Sequence, residues 1–274
     1  MSGESQLNEL KVAARNIRRN IVEMTAKGGG PGHPAPALSC ADIVTALYYK
    51  VMRVRPEEPK WVDRDRLILS KGHACPVIYA ALAEKGYFPK DWLYSFRKLG
   101  GKLQGHPDMN KIPGVDMTSG SLGHGLSAGL GMAIALKLRK SNAKVYVIIG
   151  DGESQEGMIW EAAMSAPNLG ADNLIAIIDY NHFQSGGVTD KIMSLEPIVD
   201  KWKAFNWNVL ECNGHNIEEI VNKLEIAKMN TGRPTVLIAH STKGKGVSYM
   251  ENNNAWHQKV PSDAEYTTAR EELM

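Results

Sequence analysis

Cysteine is scarce in this chain. Its three thiols, Cys40, Cys75 and Cys212, are far apart and odd in number. They form no CxxC pair and no zinc spacing. That excludes a disulfide framework and reads as buried free thiols in a reducing compartment. Charge of one sign is lacking too: 32 Lys and Arg oppose 30 Asp and Glu, for a net charge of +2. No electrostatic case for a nucleic-acid partner remains. No apolar run approaches the roughly 20 residues of a membrane helix, so no membrane partner is expected. The opening MSGESQLNELKVAARNIRRN has no apolar stretch of the signal-peptide kind. The chain reads as cytoplasmic. Internal repeats, low-complexity tracts and a composition break that would mark a linker are also missing.

What is present is an ordinary globular composition, 43% hydrophobic and 23% charged over 274 residues. Leu7 to Ala26 carries apolar residues at helical spacing. KGGGPGHPAPALS, with four glycines and three prolines, breaks that helix as an unusually rich loop. A new helix is expected to start at Ser39 or Asp42 and run through Tyr49. RLILSKGH reads as a short buried strand ending in a polar loop, followed by a helix over 74–85. The stretch GKLQGHPDMNKIPGVDMTSGSLGHG is long and irregular, and such loops are usually functional or disordered. Then come a small-residue helix (126–139), a strand (144–150), a helix (156–166), a strand (173–180), a helix near 192–205, a strand (208–212), a helix (216–229) and a strand (235–240). The strands are apolar throughout and alternate with helices. This implies an α/β fold, a doubly wound and mostly parallel sheet with helices on both faces, in one domain.

Ligands of open parallel sheets bind at the C-terminal ends of the strands. Asp151 ends one apolar strand between Gly150 and Gly152. A plain Asp-Gly turn would look the same. Asn181, however, ends the next strand one βαβ crossover later, about 30 residues on. That spacing can bring both side chains to one sheet edge. One carboxylate and one amide oxygen make an incomplete cage, suited to Mg²⁺ when a diphosphate, water and a backbone carbonyl supply the other oxygens. SGSLGHGLSAG opens a helix whose N–H groups could receive phosphate oxygens. Its Gly123-x-Gly125-x-x-Ala128 spacing also matches a dinucleotide fingerprint, but no strand precedes it and no acidic residue follows at the ribose position.

Gly150-Asp151-Gly152 through Asn181 resembles the thiamine-diphosphate motif. GHPAPALSCADI, DRLILSKGHA, QGHPD, TSGSLGHGLSAGLGMA, GDGESQEG and TKGKGVSYMENNNAWH, in that order, resemble motifs of the transketolase family along essentially the whole chain. The resemblance is to the N-terminal, diphosphate-binding portion of a full-length transketolase, and so to the small N-terminal subunit of a split one. It implies a single diphosphate-binding domain with an N-terminal helix and a C-terminal loop segment. It implies thiamine diphosphate and Mg²⁺ as cofactors, with Ca²⁺ or Mn²⁺ as alternatives, and Asp151, Asn181 and the Phe183 carbonyl as metal ligands. Gly120 and Leu122 would lie beside the cofactor, with Gly150 and Gly152 framing the diphosphate. His124 stands where many members carry Gln and is given no role. A lone loop histidine is usually solvated, but His33, His73, His106 and His257 fall on family motifs. The resemblance implies that they line the channel to the thiazolium, hydrogen-bond the donor's oxygens and shuttle protons. His257 precedes Gln258, where the family usually has Gly. Glu156, expected in the first turn of a helix, either stabilises that dipole or contacts the activating glutamate of a pyrimidine-binding domain across a dimer. Gln184 and Lys243 are further candidates for the cofactor or substrate side. His182, His215 and His240 are left as structural or surface residues.

The resemblance further implies transfer of a two-carbon ketol unit from a ketose or ketose phosphate to an aldose or aldose phosphate. The family's activating glutamate and its sugar-phosphate grip lie in a domain beyond this chain. A partner C-terminal subunit carrying the pyrimidine-binding domain is therefore expected, as two copies of each, with the chain inactive by itself. The alternatives are a transketolase for a sulfosugar or a biosynthetic intermediate, a decarboxylating enzyme akin to deoxyxylulose-phosphate synthase or a 2-oxoacid dehydrogenase component, and a non-catalytic scaffold.

Overall fold

A computed structural model describes residues 3–274. The strands are β1 (Arg66–Leu69), β2 (Val145–Gly150), β3 (Leu174–Tyr180), β4 (Phe183–Gln184), β5 (Gly187–Val188), β6 (Asn208–Asn213) and β7 (Thr235–His240). The helices are α1 (Gly3–Lys27), α2 (Pro34–Ser39), α3 (Ala41–Ala46), α4 (Cys75–Lys85), α5 (His124–Leu138), α6 (Gly157–Asn168), α7 (Thr189–Ile192), α8 (Ile198–Ala204), α9 (Ile217–Met229) and α10 (Asp263–Glu272). Five strands form a parallel sheet in the order β1-β2-β3-β7-β6, and β4 pairs with β5 in a small antiparallel hairpin.

Alternation along each strand feeds two cores. Tyr146, Ile148, Ile175, Ile177, Leu237 and Ala239 join the core under α1 to α4, α9 and α10. Val145, Val147, Ile149, Ala176, Ile178 and Val236 join the core under α5, α6 and α8. Both faces are covered at β2, β3 and β7, which is why those strands read as unbroken apolar runs. The edge strand β6 (NVLECN) is instead mixed and only partly buried, against the expectation of strands apolar throughout. No helix among the described residues is long and apolar enough to cross a membrane, and the three cysteines are free and buried.

Three further expectations are corrected. The proline-rich stretch is not all loop: α2 starts at Pro34, because proline at the first helical position loses no needed hydrogen bond. The helix expected near 192–205 is shorter: α7 already ends at Ile192, and only α8 (Ile198–Ala204) fills the span, since Pro197 cannot donate to a continuous helix and restricts the residue before it. The C-terminal segment is not only loop. It closes with α10, whose N-terminus carries a capping box between Ser262 and Glu265.

α5 lies flat on the sheet because Gly129 faces β2: a Cβ there would come within 2.5 Å of a Val147 methyl carbon. Gly131, two residues on, faces open space. Gly129→Val should cost about 1–3 kcal/mol by overpacking, whereas Gly131→Ala should gain up to about 1 kcal/mol of helix propensity. Urea unfolding of the two variants checks this opposition within one helix.

Candidate functional site

The β2–β3 register pairs Gly150 with Asp179. Asp151 and Asn181 therefore leave the sheet from neighbouring strand ends, and both line one cleft of about 370 Å³. His33, His73, Gly120, Leu122, Gly150, Gly152, Glu156, Phe183, Gln184, Lys243 and His257 line it too. Of the residues singled out from sequence, His106 stands outside the lining. It is exposed at the rim, its ring 3.2 Å from where a Gly120 Cβ would be.

Asp151 is 1% exposed. Its Oδ1 accepts the Gly152 N–H at 2.7 Å, while the buried Oδ2 has no hydrogen-bond partner. Burial first, and the charge of Asp179 second, raise its pKa to about 7. An orphaned buried carboxylate oxygen of this kind calls for a cation. The available donors fit a hard one. Asn181 Oδ1 accepts the Phe183 N–H at 3.0 Å and keeps a second lone pair. The Thr189 N–H bonds the His182 carbonyl at 2.9 Å. Phe183 and Val188 thus face each other as a non-hydrogen-bonded pair, which turns the Phe183 carbonyl away from the hairpin partner. One carboxylate, one amide oxygen and one peptide oxygen suit Mg²⁺ or Ca²⁺ completed by phosphate oxygens. Among the described residues, no cluster of three or more His, Cys, Asp or Glu could hold a metal. Gly152 is required by space, since a Cβ there would lie 2.5 Å from Gln184 Cβ.

Beneath this edge lies a network that sequence reasoning missed. Lys71, just past β1, forms a buried ion pair with Asp179 near the end of β3 and donates to the Pro36 carbonyl at 2.9 Å. Asp179, fully buried, also accepts from Ser39 and Ser241 and, at 3.2 Å, from Asn181 Nδ2. Asn181 Nδ2 donates to Ser39 Oγ at 3.0 Å as well. The amide is held by its nitrogen, so its oxygen faces the Phe183 N–H and the cleft. Burial opposes both charges of the pair. The Asp179 carboxylate nevertheless holds Lys71 above its ordinary range, and Lys71 holds Asp179 below its own.

The α5 N-terminus differs from expectation in detail. The Gly123 N–H is committed to Glu153 Oε1 at 3.0 Å and the Gly125 N–H to Ser70 Oγ at 3.1 Å. Those two donors bind the protein itself. Glu153 also accepts the Gly150 N–H and the Ser70 hydroxyl, lashing the α5 loop to the Asp151 turn. Glu156 is the N-cap residue of α6 rather than a first-turn acid, and its side chain makes no capping bond. It is exposed on the cleft wall.

Three imidazoles form a triangle in the same cleft. Ring centroids are 5.0 Å apart for His33 and His73, 5.5 Å for His33 and His257, and 5.2 Å for His73 and His257. Burial, helped by neighbouring imidazoles and cations, lowers His33 to about 4 and His73 well below its usual range. Burial and then Lys243 lower His257 to about 3. All three are neutral at pH 7. His106 is lowered as well, by burial and Arg97. His215, left aside from sequence, proves structural: Nδ1 contacts Asp42 at 2.9 Å and Nε2 accepts the Thr242 N–H at 2.7 Å.

This geometry has counterparts among known proteins. Residues 10–273 match the family model described as transketolase, thiamine diphosphate binding domain. Over 268 residues the chain is 43% identical to one of the subunits of the apulose-4-phosphate transketolase of Phocaeicola vulgatus, covering 98% of this chain and 95% of that one. Over 265 residues it is 45% identical to the 6-deoxy-6-sulfo-D-fructose transketolase subunit SqwG of a Clostridium species, covering 97% and 96%. A solved transketolase variant from Pichia stipitis superposes with a TM-score of 0.90 at 31% identity, over 96% of this chain and 40% of that one. The chain thus spans about two fifths of that longer protein.

Lys71→Met should destabilise the protein by about 3–5 kcal/mol, because it strands a buried carboxylate. Adding Asp179→Asn should recover much of that loss, as read by urea unfolding. The pH dependence has a definite sign. His33 and His257 bind protons in the unfolded chain near pH 6.5 but in the folded one only near 4 and 3. Their stabilising contribution is complete above about pH 6.5 and is lost as pH falls toward 4. The melting temperature of a His33→Gln/His257→Gln variant should fall less over that window than that of the wild type.

Proposed function

The chain belongs to the transketolase family, and on that premise we propose that it is the cofactor-holding subunit of a two-subunit transketolase. The observation that carries this reading is the unpartnered Asp151 oxygen beside the oriented Asn181 amide, in one cleft with three neutral imidazoles. Asp151, Asn181 and the Phe183 carbonyl would hold Mg²⁺, which would fix the diphosphate of thiamine diphosphate. When bound, that cofactor supplies the nucleophilic carbon and the electron sink for breaking and making a carbon–carbon bond beside a ketone.

The chain's own residues bind and orient. No hydrogen bond from the protein occupies the ring nitrogens of His33 or His73 among the described residues, so both are free for hydroxyl and carbonyl oxygens of a sugar. By themselves these rings are hydrogen-bonding groups rather than stores of protons, since burial disfavours the imidazolium. An anion entering the cleft would draw their pKa values back up. Gln184 is fixed by Gln155 Nε2 at 2.8 Å and packs on Gly152, walling the diphosphate end. Glu156, exposed on the cleft wall, is placed to meet a residue from a partner protein.

The relatives named as subunits support a separate C-terminal partner, and a two-plus-two assembly is the arrangement we favour. Two of them are named for an apulose phosphate and a sulfofructose, so we extend the donor class to ketose phosphates and sulfonated ketoses. Their transketolase names favour ketol transfer over decarboxylation.

Mixing the chain with its partner subunit should give ketol transfer from a ketose phosphate or sulfoketose in the presence of thiamine diphosphate and Mg²⁺, with no turnover by either protein in isolation. Turnover by this chain without a partner would sink the reading. Asp151→Asn should weaken Mn²⁺ binding to the reconstituted complex at least tenfold, since even outer-shell changes at metal sites cost about 10–100-fold. Mn²⁺ titration followed by electron paramagnetic resonance reads this directly.

A further inference from the structure

Lys243 is a buried cation with two hydrogen-bonding neighbours and no anionic partner among the described residues. It follows β7 and is 1% exposed, yet among the described residues no carboxylate lies within salt-bridge distance of it. Its Nζ lies 2.7 Å from Asn254 Oδ1 and 2.9 Å from His257 Nδ1. Asn254 is itself fixed, because its Nδ2 donates to the Ser185 carbonyl at 2.9 Å. The amide oxygen is therefore the atom that faces the lysine.

The loop around Lys243 is held from three sides. The Thr242 N–H donates to His215 Nε2 at 2.7 Å, the Gly244 N–H to the Ala35 carbonyl at 3.0 Å and the Asn252 N–H to the Lys243 carbonyl at 2.9 Å. His215 is anchored in turn by Asp42, which accepts from Arg18 at 3.0 Å. The ammonium is delivered to one place.

An ammonium has donors and no acceptor. The His257 Nδ1 that faces it must then be the bare nitrogen of a neutral ring, and the proton must reside on Nε2. On its other side the same Nζ meets Asn254 Oδ1, an atom that can only accept, so His257 Nδ1 is the second acceptor of one buried ammonium. His257 Nε2 finds no protein partner among the described residues, and the ring lines the cleft beside His33 and His73.

We propose that Lys243 is a positioning residue that locks His257 in the Nε2–H tautomer, making it a fixed hydrogen-bond donor to an oxygen of the cleft's ligand. The oxygen is a ketose carbonyl or hydroxyl, or a phosphoryl oxygen; that assignment of the ligand rests on the transketolase reading, whereas the tautomer does not. His33 and His73 have no such neighbour and remain free to donate or accept. One wall thus offers one fixed donor and two adaptable groups. A ligand presenting a hydrogen-bond donor to His257 is rejected, because it meets an N–H rather than a lone pair.

Two-bond ¹H–¹⁵N correlation spectra of the imidazoles, recorded on the full-length ¹⁵N-labelled chain at pH 7, test this without partner or substrate. His257→Gln assigns the signal. The wild type should show His257 with a bare Nδ1 and a protonated Nε2. Lys243→Met should lose that single-tautomer pattern, and Lys243→Arg, whose guanidinium also only donates, should keep it. His215 is the internal control for folding: its Nε2 accepts the Thr242 N–H, so it should stay Nδ1–H in every variant that folds. A wild-type His257 protonated at Nδ1 overturns the proposal even if Lys243→Met fails to fold. An unchanged tautomer in a folded Lys243→Met variant overturns it as well. Failure of ketol transfer in the reconstituted pair would leave these spectra as they are, so the two readings fail separately.

Discussion

The buried pair of Lys71 and Asp179 is the constraint on which the cleft depends. It sits under the sheet edge and gathers Lys71, Asn181 and Ser241, from the segments that follow β1, β3 and β7, and Ser39 of α2 onto one carboxylate. Such pairs are poor sources of net stability, since desolvation consumes much of their attraction. Their use here is orientation. A primary amide has two nearly isosteric ends, and only the oxygen can face a cation. Asp179 and Ser39 both engage the nitrogen of Asn181, so the choice of end is made by the protein before any ligand enters. Asp151 remains, among the described residues, the one buried carboxylate with an oxygen left over.

The same division runs through the histidines of the cleft. His257 is bound on one nitrogen by a lysine, while His33 and His73 are unbound on both among the described residues. The cleft therefore combines groups whose hydrogen-bonding direction is set with groups whose direction follows the ligand. Without a ligand, burial keeps all three rings neutral at pH 7, so each carries one donor and one acceptor nitrogen, and His33 and His73 can offer both to sugar hydroxyl and carbonyl oxygens.

Much of this was legible in the sequence, for identifiable reasons. Strands covered on both faces appear as unbroken apolar runs, and the crossover length between Asp151 and Asn181 places both at one edge. The network below them was not legible. Asp179 lies inside an apolar strand, IAIIDYN, where an isolated acid has no visible partner. Lys71 lies in a polar loop far away in sequence, and Ser39 and Ser241 are ordinary small polar residues. The available signal was the presence of a charge where burial was already expected, since a buried charge must be paired. α2 was hidden because two prolines in six residues read as loop, although the first sits where a helix tolerates it best. The break between α7 and α8 was visible in Pro197, which the helical spacing around it obscured. His106 sits near the cleft as its motif implies, but the loop carrying it holds it at the rim rather than inside.

The register of β2 against β3 has an implication for how such a chain can change over generations. Gly150 faces Asp179 because the two strands are in step, and residues on each strand alternate between two filled cores. Adding or deleting one residue within 145–150 would turn every following side chain to the wrong core and draw Asp151 away from Asn181. The turn at 169–172, by contrast, connects α6 to β3 outside that step. Natural length variation should therefore collect in such connections and be purged from the strands, leaving the spacing between Asp151 and Asn181 free to drift while their facing stays fixed.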